Sequence, residues 1–331
     1  MQIGVAVDSF LNGYFSTCKR SRKTAAAYRV DLTQFTNRFG NDTELEALKS
    51  EEFEAWASEL RIGNYAPASV RRKFATVRLF FAYWVRKGLI DFSPLRKIRL
   101  DLGPGRVLPR AITTSDAKRL IEAAWRQIDF RVENIHSTRD AHFLAVRNLA
   151  AIEILFATGM RVGELVSLKC GDWREDYSAF VVKGKGLRER LAILPDQRSR
   201  SALDLYLQRR SRIGLEHDSL LINASGDPIS TQGIARVVAT IAEKSEICLH
   251  VTPHMIRHTV ATLLLRYGAD IRVVQEVLGH ASISTTQRYT HISKEHLLAT
   301  LRTQHPNFHF NLELRSCTEA HQLPLPFRPG R

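Results

Sequence analysis

The chain of 331 residues carries 48 Lys and Arg against 34 Asp and Glu, a formal net charge of +14 with a sequence pI near 9.9, a surplus that favours a polyanionic partner over an acidic small molecule. Its 44% hydrophobic content and mean hydropathy of −0.19 are ordinary for a globular protein, and no apolar run approaches the roughly 18 residues of a membrane span, so no membrane insertion is expected. The length suits two domains, each able to bury a core.

The start, MQIGVAVDSFLNGYF, lacks a basic n-region, a long apolar h-region and a small-residue cleavage site, so the expected location is the cytoplasm, with the nucleoid. Cys18, Cys170, Cys248 and Cys317 stand far apart with no CxxC pair, which argues against a zinc ribbon and against a secreted disulfide framework. The charge surplus is shared evenly: residues 1–108 carry 18 basic and 11 acidic side chains, a surplus of +7, and the remainder another +7.

Helix-period apolar positions run through TAAAYRVDLTQFTNRFG and again through SVRRKFATVRLFFAYWVRKGLI. In the second, Val70, Phe74, Val77, Phe81, Trp84 and Val85 fall on one stripe, and the intervening Arg71, Arg72, Lys73 and Arg78 are expected to point elsewhere, as a basic face suited to phosphates. The segment SPLRKIRLDLGPGRVLPRAIT concentrates helix breakers and reads as an interdomain linker over 101–112, preceded by the basic residues Arg96, Lys97 and Arg99. Beyond it, Thr114 or Ser115 is placed to cap a helix through DAKRLIEAAWRQI, and RDAHFLAVRNLAAIEILFATG reads as an apolar helix closed by Gly159. The stretch SAFVVKGKGLRERLAIL has β-branched and aromatic residues on both sides of a Gly-Lys-Gly turn and reads as a hairpin. Helices resume through SRSALDLYLQRRSRI and STQGIARVVATIAEKS, and the Pro-rich end, QLPLPFRPGR, reads as extended.

The stretch PHMIRHTVATLLLRYGADIRVVQEVLGHASISTTQRYTH, residues 253–291, gathers His254, Arg257, His258, His280, Tyr289 and His291 among apolar runs. They are open to three readings: a solvated face, a metal site, or parts of one active site. Thr252 and Pro253 form an N-cap and first-turn pair, Gly268 closes that helix, Asp270 caps the next, and Leu278-Gly279 ends it. His280 then sits just past a helix C-terminus, and Ser284 with Gln287 makes a capping box for a short helix bearing Tyr289. His254 and Arg257, three apart, share a face at a helix N-terminus, where free N–H groups favour an anion. A metal site lacks support: there is no HExxH, the His spacing is irregular, and no thiolate or carboxylate cluster accompanies it. KGKGLRER also lacks the spacing of a P-loop. Tyr267, His258 and His291 are read as packing or supporting groups. Ser293 is placed to cap a last helix with Leu297, Leu298 and Leu301 on one stripe.

In their order along the chain, ATGMRVGEL (157–165), KGKGLRER (183–190), HMIRH (254–258) and VLGHASISTTQRYTH (277–291) closely resemble the tyrosine recombinase, or phage integrase, family, in particular its Xer-like bacterial branch. The resemblance implies a mainly α fold: a helical, SAM-like core-binding domain over 1–100, the linker, and an α-rich catalytic domain over 113–303 with a small antiparallel β-sheet. The two would form a C-shaped DNA clamp, followed by a C-terminal extension over 304–331. It implies Tyr289 as nucleophile, Arg161 and Arg257 as phosphate-holding forks, His280 as a further donor, His254 as base, Lys185 as general acid and Glu164 as a supporting carboxylate. Arg71, Arg72, Lys73, Arg78, Arg96, Lys97 and Arg99 are the expected DNA contacts.

The implied activity is site-specific recombination through a covalent 3′-phosphotyrosyl intermediate and a Holliday junction, in a homotetramer on two double-stranded DNA sites, with no metal or other cofactor and with room for an accessory protein. Dimer resolution, cointegrate resolution and integration or excision of a mobile element all fit. The final leucine stripe is expected to dock on a neighbouring subunit. Two rivals share the basic surface: a type IB topoisomerase-like enzyme that reseals the same strand, and a non-catalytic architectural DNA-binding protein.

Overall fold

A computed structural model of the chain describes residues 1–17, 22–101, 111–129, 137–183, 189–279 and 294–310. The chain divides into two units, Met1–Leu108 and Pro109–Arg331, and each buries an apolar core of its own. The division falls in the stretch rich in Pro and Gly, of which residues 102–110 lie outside the described set.

The first unit is built from α1 (Ile3–Thr17), α2 (Arg22–Phe39), α3 (Ser50–Ile62) and α4 (Pro67–Arg86), the last begun by a proline at its first turn, where no N–H partner is needed. The α4 stripe is buried at Val70, Phe74, Val77, Phe81 and Trp84, and Phe80 joins it. Rings fill this core: Phe35 lies 6.1 Å from Phe53 and 5.8 Å from Phe80, and Phe10 meets Phe80 edge-on at 5.5 Å. Edge-on and offset contacts of this kind add to the burial of ring area.

One member of the expected basic face is not on it. Lys73 is buried at 2% exposure, its ammonium 3.5 Å from the Asp31 carboxylate and donating to Gln34 Oε1. It sits three residues after Val70 and four before Val77, so the helix period carries it into the core, and the fully buried Asp31 neutralises it. Arg72 Nη1 reaches the same carboxylate at 2.6 Å from the helix edge, and Thr76 Oγ1 donates to it at 3.0 Å. Arg72, Arg78, Arg96, Lys97 and Arg99 are exposed and Arg71 is half-buried; Arg78 also donates to the Ile98 carbonyl at 2.8 Å.

The second unit is organised around α6 (Ala141–Thr158), with α5 (Thr114–Arg126) before it. The cap of α5 is Thr113, one residue earlier than expected, whose hydroxyl accepts from Asp116 N at 3.0 Å. Among the described residues α6 is the one helix long and apolar enough to cross a membrane, but 72% of it is buried inside the protein, as befits a core helix. After the short α7 (Val162–Leu165) come β1 (Trp173–Arg174), β2 (Ala179–Lys183) and β3 (Glu189–Ile193), an antiparallel sheet in the order β1-β2-β3. The hairpin pairs Phe180 with Ala192 and Val182 with Arg190; its tip, 184–188, lies outside the described residues. Then follow α8 (Gln197–Ser211), α9 (Thr231–Lys244), α10 (Pro253–Arg266), α11 (Ile271–Leu278), α12 (Lys294–Gln304) and α13 (Pro306–His309).

The stripe on α12 is covered by its own unit: Leu297 and Leu301 are buried in the main core and Leu298 packs on it. The stripe expected to dock on a neighbouring subunit is thus packed, in the single chain, within its own unit. The segment after it is anchored to the same unit. Asn307 Nδ2 donates to Asp196 Oδ2 at 2.6 Å, while the other oxygen of Asp196 caps α8 through Ser199 N. Phe310 meets Phe156 of α6 edge-on at 6.2 Å. His305 is fully buried, and burial lowers its pKa to about 4 against the pull of Asp196, so the ring is neutral near pH 7.

The buried ion pair of the first unit sets a stability test. Replacing Asp31 by Asn leaves Lys73 charged in an apolar surround and is expected to cost about 3 kcal/mol, and adding Lys73→Met in that background recovers most of the loss. Urea melts of the three proteins check it.

Candidate active site

Two glycines that end helices bring the site together. Gly159 closes α6 with φ +57, and a Cβ there would meet Leu278 Cδ2 at 2.7 Å. Gly279 closes α11 with φ +65, and a Cβ there would meet Arg190 Nε at 2.5 Å. Both positions need the left-handed backbone and the missing side chain, so α6 ends against Leu278 of α11, and α11 against Arg190 of β3.

Arg161 follows two residues after Gly159 and caps α7 with an extended backbone. Glu164 reaches back from the third position: Oε2 accepts from Arg161 N at 2.8 Å and Oε1 from Arg161 Nη1 at 2.9 Å. The same guanidinium donates through Nη1 and Nη2 to the Gly279 carbonyl at 3.2 and 3.1 Å, and its side chain stays 49% exposed. Arg257, on α10, is buried; Nη1 donates to the Gly159 carbonyl and Nη2 to the Leu278 carbonyl, both at 2.8 Å. Arg190, on β3, donates from Nη1 to the Val277 carbonyl at 3.0 Å and from Nη2 to Glu164 Oε2 at 2.8 Å.

Three successive carbonyls at the end of α11, those of Val277, Leu278 and Gly279, are thus each taken by a different arginine. These are the carbonyls that a helix leaves without a partner, at the negative end of its dipole. Around them stand three guanidiniums and one carboxylate, an excess of two positive charges among these four residues. Burial lowers the Arg257 pKa to about 10, with Arg161 and Arg190 adding to the effect and Glu164 opposing it. Burial would raise the Glu164 carboxyl, but the charge of Arg190 and the bonds and charge of Arg161 outweigh it, so it lies below the usual carboxylate range.

Of the residues read from the sequence, the structure brings Arg161, Glu164 and Arg257 together. His254 lies in the first turn of α10, where Thr252 accepts from Met255 N at 3.3 Å; it is exposed while Arg257, three residues on, is buried, so the pair divides between surface and interior. Lys185, His280, Tyr289 and His291 lie outside the described residues, as does the capping box of Ser284 and Gln287. Tyr267 packs, stacked on His309 at 3.9 Å, and His258 is half-buried. No group of three or more His, Cys, Asp or Glu able to hold a metal ion is found among the described residues.

Arg190 was missed, although a signal was present. Strand alternation puts it on the face of Phe180, Val182 and Ala192, the buried side of the sheet. A charged residue at an inward strand position needs a partner, and Glu164 is that partner.

The sequence and the fold are similar to those of known proteins. The Phage integrase family model matches residues 126–296, and the model of the phage integrase N-terminal SAM-like domain matches 7–88. Tyrosine recombinase XerC of Listeria welshimeri is 33% identical over 312 residues, covering 92% of this chain and 99% of its own length. The chain belongs to the phage integrase family. It is a Xer-like tyrosine recombinase, an enzyme of site-specific DNA strand transfer. A tyrosine recombinase of Agathobacter rectalis is 32% identical over 306 residues, covering 92% of this recombinase and 98% of its own length. In fold, the recombinase is similar to the Tn1549 transposon integrase in complex with circular intermediate DNA (TM-score 0.69, 15% identity, 91% of this chain and 99% of that one). It is similar too to XerH bound to difH substrate in a pre-cleavage complex (TM-score 0.66, 21% identity, 89% and 94%).

The lowered carboxyl of Glu164 fixes the sign of a pH effect. Because its folded pKa lies below the unfolded value near ~4.3, its contribution to stability is complete above that value and is lost as pH falls through the folded one. Glu164→Gln is expected to cost about 2 kcal/mol at pH 7, and the gap between variant and parent narrows below pH ~4.3. Denaturant melts at pH 7 and at pH 3.5 measure both.

Proposed function

We propose that this recombinase cuts and rejoins DNA strands at paired recombination sites through a covalent bond from Tyr289 to a 3′ phosphate. The single observation that supports the reading best is the cluster of Arg161, Arg190 and Arg257 with Glu164 at the end of α11, with two positive charges in excess and one half-exposed fork, that of Arg161. Tyrosyl attack on a phosphodiester gathers negative charge on the non-bridging oxygens, and planar, permanently charged forks suit it.

In this reading the phenol oxygen of Tyr289 bonds to phosphorus, and the bond from phosphorus to the 5′ oxygen breaks. His254, exposed at the first turn of α10, takes the phenol proton, and Lys185 supplies a proton to the departing 5′ oxygen. Arg161, Arg257 and His280 hold the phosphoryl oxygens, with Arg257 buried and two of its five N–H groups already given to the Gly159 and Leu278 carbonyls. Glu164 orients Arg161. The phosphotyrosyl ester keeps roughly the energy of the bond it replaced, so a 5′-hydroxyl from a second strand reseals it with no nucleotide. Two rounds of exchange pass through a Holliday junction.

The DNA partner is supported by the charge of +14 and by the solved relatives of the same fold, XerH on difH and a lambda integrase tetramer on a Holliday junction. We assign the phosphate contacts of the first unit to Arg72, Arg78, Arg96, Lys97 and Arg99, with Arg71 at the edge and Lys73 withdrawn. A homotetramer on two sites in the cytoplasm follows from this reading. Its subunit contacts involve other surfaces for as long as Leu297 and Leu301 stay in their own core.

Duplexes selected by binding from a randomised pool and nicked near the cleavage position should trap a protein–DNA adduct that Tyr289→Phe abolishes; an adduct that survives that change sinks the mechanism. Binding should weaken steeply with salt, and Arg96→Ala should lower the slope of log K on log salt by about one phosphate's worth. Filter-binding titrations from 50 to 200 mM salt are sufficient, and an unchanged slope removes Arg96 from the interface.

A further inference from the structure

We propose that Arg190 is a positioning residue for strand cleavage: it fixes both the carboxylate that orients Arg161 and the last turn of α11, from which the chain continues to His280 and Tyr289. The proposal rests on the catalytic reading above and adds to it a role for a residue to which that reading assigns no step.

The side chain of Arg190 is 9% exposed, against 49% for Arg161. It lies beneath the site and has no open face for a phosphate, so it acts through its neighbours. One terminal nitrogen holds Glu164 Oε2 at 2.8 Å and the other holds the Val277 carbonyl at 3.0 Å. Glu164 divides its oxygens accordingly, Oε1 serving the Arg161 guanidinium and Oε2 serving Arg190 together with the Arg161 backbone N–H. Without Arg190, Oε2 keeps only the backbone bond, and the carboxylate is free to turn and draw the Arg161 fork away from the Gly279 carbonyl.

The second contact works on the exit of α11. A Cβ at residue 279 would lie 2.5 Å from Arg190 Nε and 2.9 Å from Cδ, so the guanidinium stem lies flat against the turn by which the chain leaves the helix. The direction of that exit is set by the pair, glycine above and arginine below. Arg190 also pairs with Val182 in the hairpin, next to the last described pair, Lys183 with Glu189. One buried side chain therefore joins three chain segments: the strands leading to Lys185, the turn carrying Arg161, and the helix end preceding His280 and Tyr289.

A fork serving two separated acceptors at once is a task for arginine, whose terminal nitrogens are held apart in one plane, whereas the donors of lysine all sit on a single nitrogen. Arg190→Met, Arg190→Lys and Glu164→Gln, each on the full chain, separate positioning from bulk stability. Single-turnover cleavage of the nicked duplex should fall at least 30-fold in Arg190→Met while DNA affinity stays within threefold, with Arg190→Lys in between. In the double variant Arg190→Met, Glu164→Gln, cleavage should fall little beyond the worse single change, because both act through Arg161. Amide exchange on the free protein gives a reading that needs no DNA: the N–H groups of Glu164 and Gly279 should exchange at least tenfold faster in Arg190→Met, with the α6 core unchanged and Arg190→Lys partly restoring protection. Cleavage within threefold of the parent, a loss that only tracks folded fraction or DNA affinity, or unchanged exchange at both amides overturns the proposal. A parent protein that forms no Tyr289-dependent adduct removes the catalytic reading instead, and amide exchange in Arg190→Met and Arg190→Lys still decides whether Arg190 orders this site.

Discussion

The end of α11 is the constraint on which the rest of the site depends. A helix C-terminus exposes carbonyls that ordinarily go to water, and here those of Val277, Leu278 and Gly279 go instead to Arg190, Arg257 and Arg161. Each arginine comes from a different element, so one helix end holds β3, α10 and the turn before α7 in register. The same bonds keep three cations within reach of one another, which like charges resist; the helix dipole and Glu164 offset that repulsion. Burial, and after it the neighbouring Arg161 and Arg190, lowers the proton affinity of Arg257, and an anion offsets the part that comes from the like charges.

Elsewhere the two cores use the same device with less exposure. Asp31 holds Lys73 and Arg72 in the first unit, and in the second the fully buried Glu153 accepts from Trp125 Nε1 at 2.6 Å and from Arg198 Nε at 2.8 Å. Buried pairs of this kind add little net stability but penalise any packing that separates the partners. Their effect here is to fix which helix faces meet, and so where the site residues emerge.

What the sequence disclosed follows the range of the forces involved. The ends of α6, α10 and α11 were legible because Gly159, Thr252-Pro253, Asp270 and Gly279 act on their own backbone within a few residues. The α4 stripe and the β2–β3 hairpin were legible from periodicity. Lys73 and Arg190 were misread or missed for a common reason: the period placed each on a buried face, but residue type spoke for solvent, and the partners that settle the matter, Asp31 and Glu164, lie 42 and 26 positions away in sequence. His254 and Arg257 show the converse, since a shared helical face did not give them a shared environment. The anchoring of α13 was out of reach because it depends on Asn307 finding Asp196 across 111 residues. Family resemblance supplied roles that no local rule gives, and it did so for residues chosen by order along the chain.

The two anchors of the segment between α11 and α12 differ in kind. On the α11 side the chain leaves Gly279 through a carbonyl held by Arg161, a half-exposed fork. On the α12 side it returns through Leu297 and Leu301 in the core, backed by Asn307 on Asp196 and Phe310 on Phe156. The second anchor is buried throughout, its leucines and ring apolar and its Asn307–Asp196 bond closed from solvent. The first is a hydrogen bond between a cation and a neutral carbonyl, and an anionic oxygen is the stronger acceptor for that cation. Of these contacts the bond at Gly279 is therefore the one an anion at Arg161 competes with, while Arg190 and Arg257 keep the Val277 and Leu278 carbonyls immediately before it.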